Sequence, residues 1–315
     1  MTQLPSVETD AGRTVAIVGG GISGLTAARR FSQRGIRVTL FEAGTRLGGQ
    51  IRTAAVAGHP VDVGAEAVHA SAAGMNTLIA ELGLTDGLIH ANRGTSWLWT
   101  QRGPPAANGL VVEVDAVVLA VPAAIAADLI RPLSTNAANL LGRVRYASVA
   151  TVVVAYLRAA VRQIRALTRT GLLVPSSRGR LLKAATFLSA KWPHLVDPTH
   201  VLVRLSGGSA GAREICDLDD AALAARLHSD LVDATGMTAK PAESHVQRWP
   251  CAMPQLEVGH LDRVASVRED LRRYPGLILA GASYDGLGIA ACVRSGERAG
   301  TSCLPVAGAE RRATS

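Results

Sequence analysis

Four residues near the amino terminus have the types and spacing needed to bind a dinucleotide. Gly19, Gly21 and Gly24 form a G-x-G-x-x-G pattern, and Glu42 follows the last glycine by 18 residues. Gly19 would allow a tight turn, Gly21 would let a pyrophosphate reach backbone N–H groups, and Gly24 would let helix and strand pack closely. Glu42 would accept a hydrogen bond from a ribose hydroxyl. The pattern does not by itself choose FAD over NAD.

These residues need a strand, a turn, a helix and a second strand to position them. Residues 14–18 form a short apolar run, 22–34 have apolar residues at helical spacing, and 36–41 form a second apolar run. The first N–H groups of the helix would then point at the phosphates. The alternative is an ordinary strand-turn-helix with incidental glycines.

The composition favours a globular protein that acts on small molecules. The chain has 315 residues, 48% of them hydrophobic, a net charge of +8 and a pI of about 9.9. Its basic residues are spread out, which argues against nucleic-acid binding and suits an acidic substrate. No metal site is expected, because neither a CxxC pair nor metal-ligand spacing involves the cysteines Cys216, Cys251, Cys292 and Cys303.

The apolar runs are too short to predict an integral membrane segment. The longest, residues 116–127, contains Pro122 and ends at Asp128, and the first ten residues lack the pattern of a signal peptide. We therefore expect a cytoplasmic protein, with peripheral attachment to a membrane left open.

The residues after Glu42 resemble the amine-oxidase-like flavoproteins. The similarity lies in "EAGTRLGGQIRT" (42–53) and in "HPVDVGAEAVHA" (59–70), which in that family passes the flavin ring. The resemblance implies FAD as the cofactor. For Glu66 a helix-capping or surface acid remains an alternative. Together with the first motif, the resemblance implies that FAD is bound by Gly19, Gly21, Ile22, Ser23, Gly24, Glu42, Ala43, Arg46, Gly48, Gly49, Arg52, Gly64, Ala65, Glu66, Gly281, Gly288 and Ile289.

The same resemblance gives a role to the glycine-rich stretch "LILAGASYDGLGIAACVRSGERAG" (277–300). In that family the chain returns to the dinucleotide domain here, as a strand (277–280), a glycine turn and a helix (290–303). Five glycines lie between residues 281 and 300, and we attribute them to close approach of backbone to FAD. Asp285 would bond a ribityl hydroxyl or be a solvated turn residue. Cys292 would be a redox group or, as we favour, a small filler.

Two further segments narrow the resemblance to the oxygen-dependent porphyrinogen oxidases. They are "RWPCAMPQLEVGH" (248–260) and "TGLLVPSSRGRLLKAATFLSAKWPH" (170–194), with a looser echo at 94–103. The resemblance implies FAD-dependent oxidation of coproporphyrinogen III or protoporphyrinogen IX by oxygen in haem biosynthesis. No catalytic side chain is implied, because the cofactor performs the chemistry. The implied substrate-binding residues are Arg52, Lys191, Trp192 and Met253, with Arg204 a weaker candidate for a substrate carboxylate.

The chain is shorter than this family in its middle. Residues 104–109, "PPAANG", replace a long segment that in relatives supplies most of the substrate domain. This favours one alternative, an FAD-binding remnant without activity. Another alternative is a different amine-oxidase-like flavin oxidase or desaturase, against which the two porphyrinogen-oxidase segments argue.

The expected fold class is α/β, a Rossmann-type FAD-binding domain with a truncated α+β substrate domain. We assign residues 1–70, 110–145 and 276–315 to the FAD-binding domain, and 71–109 and 146–275 to the remnant of the substrate domain. In the remnant, strands are expected at 147–157, 172–174, 183–188 and 200–206, by β-branched and apolar content. A helix is expected from Asp217, as its cap, to about residue 235.

Overall fold

The computed structural model describes residues 10, 12–68, 72, 74–91, 112–209 and 214–304. They form two compact units, which we describe separately. The first comprises the described parts of 1–49, 105–144 and 256–315, and the second those of 50–104 and 145–255. The sequence-based division differs, because it places 50–70 in the first unit and 256–275 in the second. The loose family echo at 94–103 and the linker at 104–109 lie outside the described residues.

The first unit contains both glycine-rich segments, the one at 19–24 and the one at 281–300. Elements are numbered in chain order through both units. The strands of the first unit are β1 (Thr14–Val18), β2 (Arg37–Phe41), β5 (Ala116–Leu119) and β11 (Leu277–Leu279). Its helices are α1 (Ile22–Gln33), α3 (Ala123–Ile130), α4 (Thr135–Gly142), α9 (His260–Asp270), α10 (Ala282–Asp285) and α11 (Ile289–Gly300). A 3-10 turn at Leu271–Arg273 follows α9.

The strands of the second unit are β3 (Thr53–Val56), β4 (His59–Asp62), β6 (Tyr146–Leu157), β7 (Gly171–Leu173), β8 (Leu182–Thr186), β9 (His200–Gly207) and β10 (Glu243–Pro254). Its helices are α2 (Met75–Glu81), α5 (Arg158–Val161), α6 (Leu188–Lys191), α7 (Glu214–Asp217) and α8 (Asp220–Thr235). Short 3-10 turns occupy Thr85–Gly87, Arg165–Thr168, Ser176–Arg178 and Pro193–Leu195.

A four-stranded parallel sheet in the order β11-β5-β1-β2 organises the first unit. Val15 pairs with Val38 on one side and with Ala116 on the other. Apart from Thr14, the central strands β5 and β1 are apolar, because a parallel sheet is covered on both faces. Phe31 of α1 and Ala299 of α11 belong to the core that covers the sheet. This parallel sheet with flanking helices confirms the predicted Rossmann-type fold.

A five-stranded sheet in the order β10-β6-β9-β8-β7 organises the second unit, and its pairings are antiparallel. Central strand β6 is buried on both faces. Val152, Val154 and Tyr156 face one apolar cluster, whereas Val153 and Ala155 face another. This two-sided burial explains why the sequence of β6 is a continuous apolar run and does not alternate. The β3–β4 hairpin contributes Val56 and Val61 to the second cluster.

Two predicted elements need correction. The long helix starts at Asp220 with Asp219 as its cap, because an Asp219 carboxylate oxygen accepts the N–H of Ala222 at 2.7 Å. Asp217 instead ends the separate turn α7. The expected strand 183–188 ends early, at Thr186, and its last expected residue, Leu188, begins the helical turn α6 that contains Lys191. Other predicted bounds agree within about two residues, the usual uncertainty of element ends, except that the last helix ends at Gly300 and not at residue 303.

Candidate cofactor site

The glycines of the first motif differ in what surrounds them. A Cβ atom added to Gly24 would lie 1.9 Å from the carbonyl oxygen of Gly19, and one on Gly19 would lie 2.5 Å from the carbonyl oxygen of Ala120. Those two positions therefore need glycine for packing. A Cβ on Gly21 would meet no described atom within 4 Å. Gly21 thus leaves open space directly before the first residue of α1.

Glu42 lies at the end of β2 and fixes two backbone turns. One carboxylate oxygen accepts the N–H of Gly20 at 2.7 Å, and the other accepts the N–H of Gly44 at 2.8 Å. A carboxylate has about four lone-pair positions, so two such bonds leave acceptor capacity for a ribose hydroxyl. The side chain is exposed, as is neighbouring Ala43. The predicted ribose contact stays a prediction.

The second glycine turn lies against the first. Gly48 donates its N–H to the carbonyl oxygen of Gly20 at 2.9 Å and forms a parallel bridge with Gly21. A Cβ on Gly49 would be 3.1 Å from the Cα of Gly21. Arg46 donates to the carbonyl oxygen of Gly49 at 2.5 Å. The structure therefore brings together the predicted binding residues that come from 19–24 and 42–49.

The carboxyl-terminal glycines fall into two groups. Gly281 and Gly288 have φ angles of 122° and 90°, and an added Cβ at either would meet no described atom within 4 Å. By contrast, a Cβ on Gly296 would lie 2.3 Å from the carbonyl oxygen of Ser23, and one on Gly300 would lie 2.4 Å from the Cβ of Arg30. The expectation that close approach to the cofactor explains all five glycines is therefore wrong for the last two, which let α11 pack against α1.

Helices α1 and α11 run parallel, with their amino termini at the same end. Cys292 is hydrogen-bonded to Ser23, and farther along both helices Gly300 packs on Arg30. Contacts that advance in the same direction along two helices require parallel axes. Neither helix start receives a side-chain cap from the described residues. Two sets of orphan N–H groups and two positive dipole ends therefore lie close together, an arrangement that suits an anion.

Asp285 is not the solvated turn residue that the sequence left open. Its side chain is only 9% exposed and is paired with Arg268 at 2.6 Å and with Arg298. The Ser295 hydroxyl donates to it at 2.5 Å.

The surroundings of Cys292 favour the filler role. Burial raises the pKa of the Cys292 thiol, despite the opposing effect of the hydrogen bond to Ser23. A thiol kept protonated is a poor nucleophile or redox group. His260, the last residue of the segment 248–260, is buried and contacts the Ser283 carbonyl oxygen through Nε2 at 3.0 Å, which indicates a structural role.

In the second unit, Glu66 is the centre of a buried ion cluster. Its side chain is 7% exposed and accepts hydrogen bonds from the Lys191 ammonium at 2.8 Å and the Trp192 indole at 2.6 Å. Its other oxygen pairs with Arg204. Burial alone would raise the pKa of Glu66, but the two cations and the hydrogen bonds lower it overall. Glu66 is therefore neither a helix cap nor a surface acid.

The same cluster clamps the segment around Glu66. Arg204 donates to the carbonyl oxygen of Gly64 at 3.4 Å, and the Trp249 indole donates to that of Val63 at 3.1 Å. Ala65 donates its N–H to the Gln50 carbonyl oxygen at 2.9 Å. A Cβ on Gly64 would lie 2.0 Å from that same oxygen. Glycine is therefore required at this position by the backbone itself.

The remaining predicted residues of the second unit have different surroundings. Arg52 is exposed, and Met253 is 5% exposed on β10, beside a bulge. Of the predicted substrate-binding residues, the structure brings Lys191 and Trp192 together, on Glu66. Sequence reasoning missed the arginines and the serine around Asp285, for which the sequence contains no specific signal.

Comparison with known families agrees with this geometry. The family model described as flavin containing amine oxidoreductase matches residues 89–304, and that of an NAD(P)-binding Rossmann-like domain matches residues 17–82. The chain belongs to the flavin-containing amine oxidoreductase family. The prediction of a flavin cofactor in a Rossmann-type domain is confirmed at this level.

Curated relatives carry porphyrinogen oxidase names. The chain is 31% identical over 198 residues to coproporphyrinogen III oxidase of Bacillus subtilis. This alignment covers 62% of this chain and 41% of the relative. The chain is 30% identical over 195 residues to protoporphyrinogen oxidase 1, chloroplastic, of Arabidopsis thaliana, with 59% and 36% covered. The predicted resemblance to this group is confirmed. The matched regions span about two fifths of these relatives.

Solved structures show the same fold. A crystal structure from Exiguobacterium sp. 255-15, named as a protoporphyrinogen oxidase, superimposes with a TM-score of 0.79 at 20% identity, covering 91% of this chain and 98% of that one. A putrescine oxidase superimposes with a TM-score of 0.62 at 12% identity.

Two further findings concern the described residues alone. Their helices include none of the length and apolarity needed to cross a membrane. They contain no group of three or more His, Cys, Asp or Glu side chains placed to hold a metal ion.

Proposed function

We propose that the first unit binds FAD at the paired amino termini of α1 and α11. The parallel packing of the two helices is the observation that supports this most directly, because it collects orphan N–H groups from both ends of the chain. Open space in front of Gly21, Gly281 and Gly288 fits a bulky group against bare backbone. Ile22, Ser23 and Ile289 would donate their N–H groups to the diphosphate.

The other predicted residues of this unit would fix the cofactor's orientation. Glu42, already bonded to Gly20 and Gly44, would accept a ribose hydroxyl through its remaining lone pairs. Gly48 and Gly49 would extend the amide surface beside Gly21. The diphosphate charge would be balanced by helix dipoles and by Arg46, which braces this turn.

We further propose that the activity is oxidation of a porphyrinogen, coproporphyrinogen III or protoporphyrinogen IX, to the porphyrin. The names of the curated relatives support this substrate class. When bound, FAD would supply the hydride-accepting chemistry, with oxygen as the final electron acceptor. The protein's own task is then to bind, orient and shield, and it needs no nucleophile.

The substrate carries carboxylates, so positive groups would bind it. Lys191 and Arg204 surround the one carboxylate of Glu66, which leaves the cluster with an excess of positive charge. We propose that Lys191 and exposed Arg52 bind the substrate carboxylates, and that Trp192 and Met253 form apolar walls around the substrate. The reaction is placed in the cytoplasm in this proposal, with the tetrapyrrole and oxygen as small-molecule partners.

The test is direct. The purified chain is saturated with FAD, supplied with coproporphyrinogen III or protoporphyrinogen IX in air, and followed by porphyrin fluorescence and peroxide production. Enzyme-dependent fluorescence above the rate of spontaneous oxidation is expected. A flavin-loaded protein that produces neither porphyrin nor peroxide would contradict the proposed activity.

A second candidate is FAD binding without turnover. It is favoured by the match to only 41% of the length of the Bacillus relative. The same assay separates the two, because this candidate predicts bound flavin and no product. A different oxidase or desaturase of the family would instead oxidise amines or carotenoids, and no observation favours it.

A further inference from the structure

We propose that Asp285 is a positioning residue that holds the glycine turn 281–288 in the conformation that presents its amides to FAD. The inference rests on the proposed FAD site. It assigns Asp285 neither to the ribityl chain nor to solvent. Its carboxylate is engaged by groups from two helices that flank the turn.

Two residues of the turn, Gly281 and Asp285, are tied to one side chain of α11. The N–H of Gly281 donates to the Ser295 hydroxyl oxygen at 2.8 Å, and that hydroxyl donates to an Asp285 carboxylate oxygen at 2.5 Å. Ser295 is buried. Two consecutive hydrogen bonds therefore connect Gly281, the first residue of the turn, to Asp285 through Ser295 of α11.

Two arginines complete the arrangement. Arg268 of α9 donates to one oxygen of Asp285 at 2.6 Å, and Arg298 of α11 pairs with the other oxygen. The carboxylate is 9% exposed, whereas the arginines are 43% and 54% exposed. All these donors point at one acid, so the acid is the centre of the network and each arginine is peripheral.

The turn needs such a device because of its composition. Gly281, Gly286 and Gly288 have positive φ angles, and glycine loses more conformational freedom on ordering than any other residue. Without a restraint, FAD binding would bear that ordering cost. With the network in place, the amides are held before the ligand arrives, which improves affinity.

Removing the carboxylate should affect binding more than folding. Arg268 and Arg298 are half-exposed and can be hydrated when they lose their partner. The Ser295 hydroxyl would lose its acceptor, and the N–H of Gly281 would lose a fixed position. We expect Asp285→Ala to weaken FAD binding by about tenfold or more, the equivalent of one charge-assisted hydrogen bond.

The experiment compares three variants of the full chain with the parent protein. FAD affinity is measured by equilibrium dialysis, and apoprotein stability by thermal unfolding. Asp285→Asn keeps the shape and one acceptor, so a smaller loss of affinity is expected than for Asp285→Ala. Asp270→Asn is the matched control, because Asp270 in the same unit supports the Ser134 cap of α4 by also accepting the N–H of Ala137, at 3.1 Å. It should lower stability and leave FAD affinity within about twofold of the parent.

The outcomes distinguish the inference from the proposed function. If the parent binds FAD and both Asp285 variants bind it equally well, the inference is overturned and the FAD site stands. If Asp270→Asn loses as much affinity as Asp285→Asn, the effect is one of general stability and the inference is also overturned. If the parent protein fails to bind FAD, the proposed site and this inference fall together. Should Asp285→Ala not fold, the isosteric Asp285→Asn decides.

Discussion

Replacing Gly21 by alanine should separate cofactor binding from folding. Its φ and ψ angles of −73° and 177° are extended backbone that any residue adopts. A Cβ there would contact no described atom within 4 Å. The new methyl group would occupy the space before α1 in which we place the diphosphate. The change is therefore harmless to the apoprotein and harmful to the complex.

The magnitudes follow from the position of Gly21. At a helix cap, alanine stabilises the folded protein less than glycine does, by about 0.5–1 kcal/mol. Alanine also lowers the conformational entropy of the unfolded chain, which stabilises the folded protein by about 0.4–1 kcal/mol. The free energy of unfolding should thus change by less than about 1 kcal/mol. Loss of two hydrogen bonds from amides to a charged phosphate would cost about 3 kcal/mol. FAD affinity should then fall roughly 100-fold.

Gly24→Ala is the matched comparison within the same motif. Its Cβ would lie 1.9 Å from the Gly19 carbonyl oxygen, a backbone atom that cannot rotate away. Overpacking of this kind costs about 1–3 kcal/mol or more. Gly24→Ala should therefore destabilise the apoprotein itself.

The assay is chemical denaturation of each apoprotein, followed by an FAD titration at a temperature where all are folded. The reasoning is refuted if Gly21→Ala binds FAD as tightly as the parent protein. It is also refuted if Gly21→Ala lowers the free energy of unfolding as much as Gly24→Ala does.

Three further predictions concern other parts of the chain. Glu66→Gln should lower the free energy of unfolding of the second unit by about 3 kcal/mol at neutral pH, because it leaves buried cations without their anion; urea denaturation measures this. Since the pKa of Glu66 is lowered on folding, its contribution to the free energy of unfolding is present above about pH 4.5 and is lost as the pH falls through the folded pKa. Glu66→Gln should lack this dependence on acid. Equal loss of stability in acid for the parent and the variant would disprove the role of the Glu66 ion cluster. Half-buried Cys292, whose thiol pKa is raised, should react with iodoacetamide more slowly than exposed Cys216 and Cys303, and mass spectrometry that finds equal labelling would contradict this. Gly296→Val should lower the melting temperature by forcing apart α1 and α11, and an unchanged melting temperature would argue against their packing.

Much of the fold could be predicted because its signals are local. The strand at 14–18 and the helix that starts at Ile22 follow from apolar periodicity and from glycine spacing, and the structure has both with those bounds. The apolar strand β6 was likewise predictable, although its two-sided burial was not. Local patterns describe an element but not what covers its faces.

The parts that could not be predicted depend on long-range pairing. Glu66 and Lys191 are separated by 125 residues, and the sequence offers 33 lysines and arginines as equal candidates for the partners of Glu66. The partners of Asp285 are hidden for the same reason. The packing role of Gly296 and Gly300 could have been predicted, because small residues four apart lie on one face of a helix. The glycines were instead attributed to cofactor contact, because they follow the glycine turn 281–288 directly. The predicted start of α8 was also displaced by two residues, since Asp217 and Asp219 are chemically equivalent as helix caps.

Hydrogen exchange of the backbone amides, with and without FAD, tests the central claim most directly. Ile22–Gly24 and residues 289–291 supply the first N–H groups of α1 and α11. If both helix starts hold one diphosphate, FAD should slow exchange in both segments, with the same dependence on FAD concentration. Protection of only one segment, or of neither at saturating FAD, would contradict a shared site.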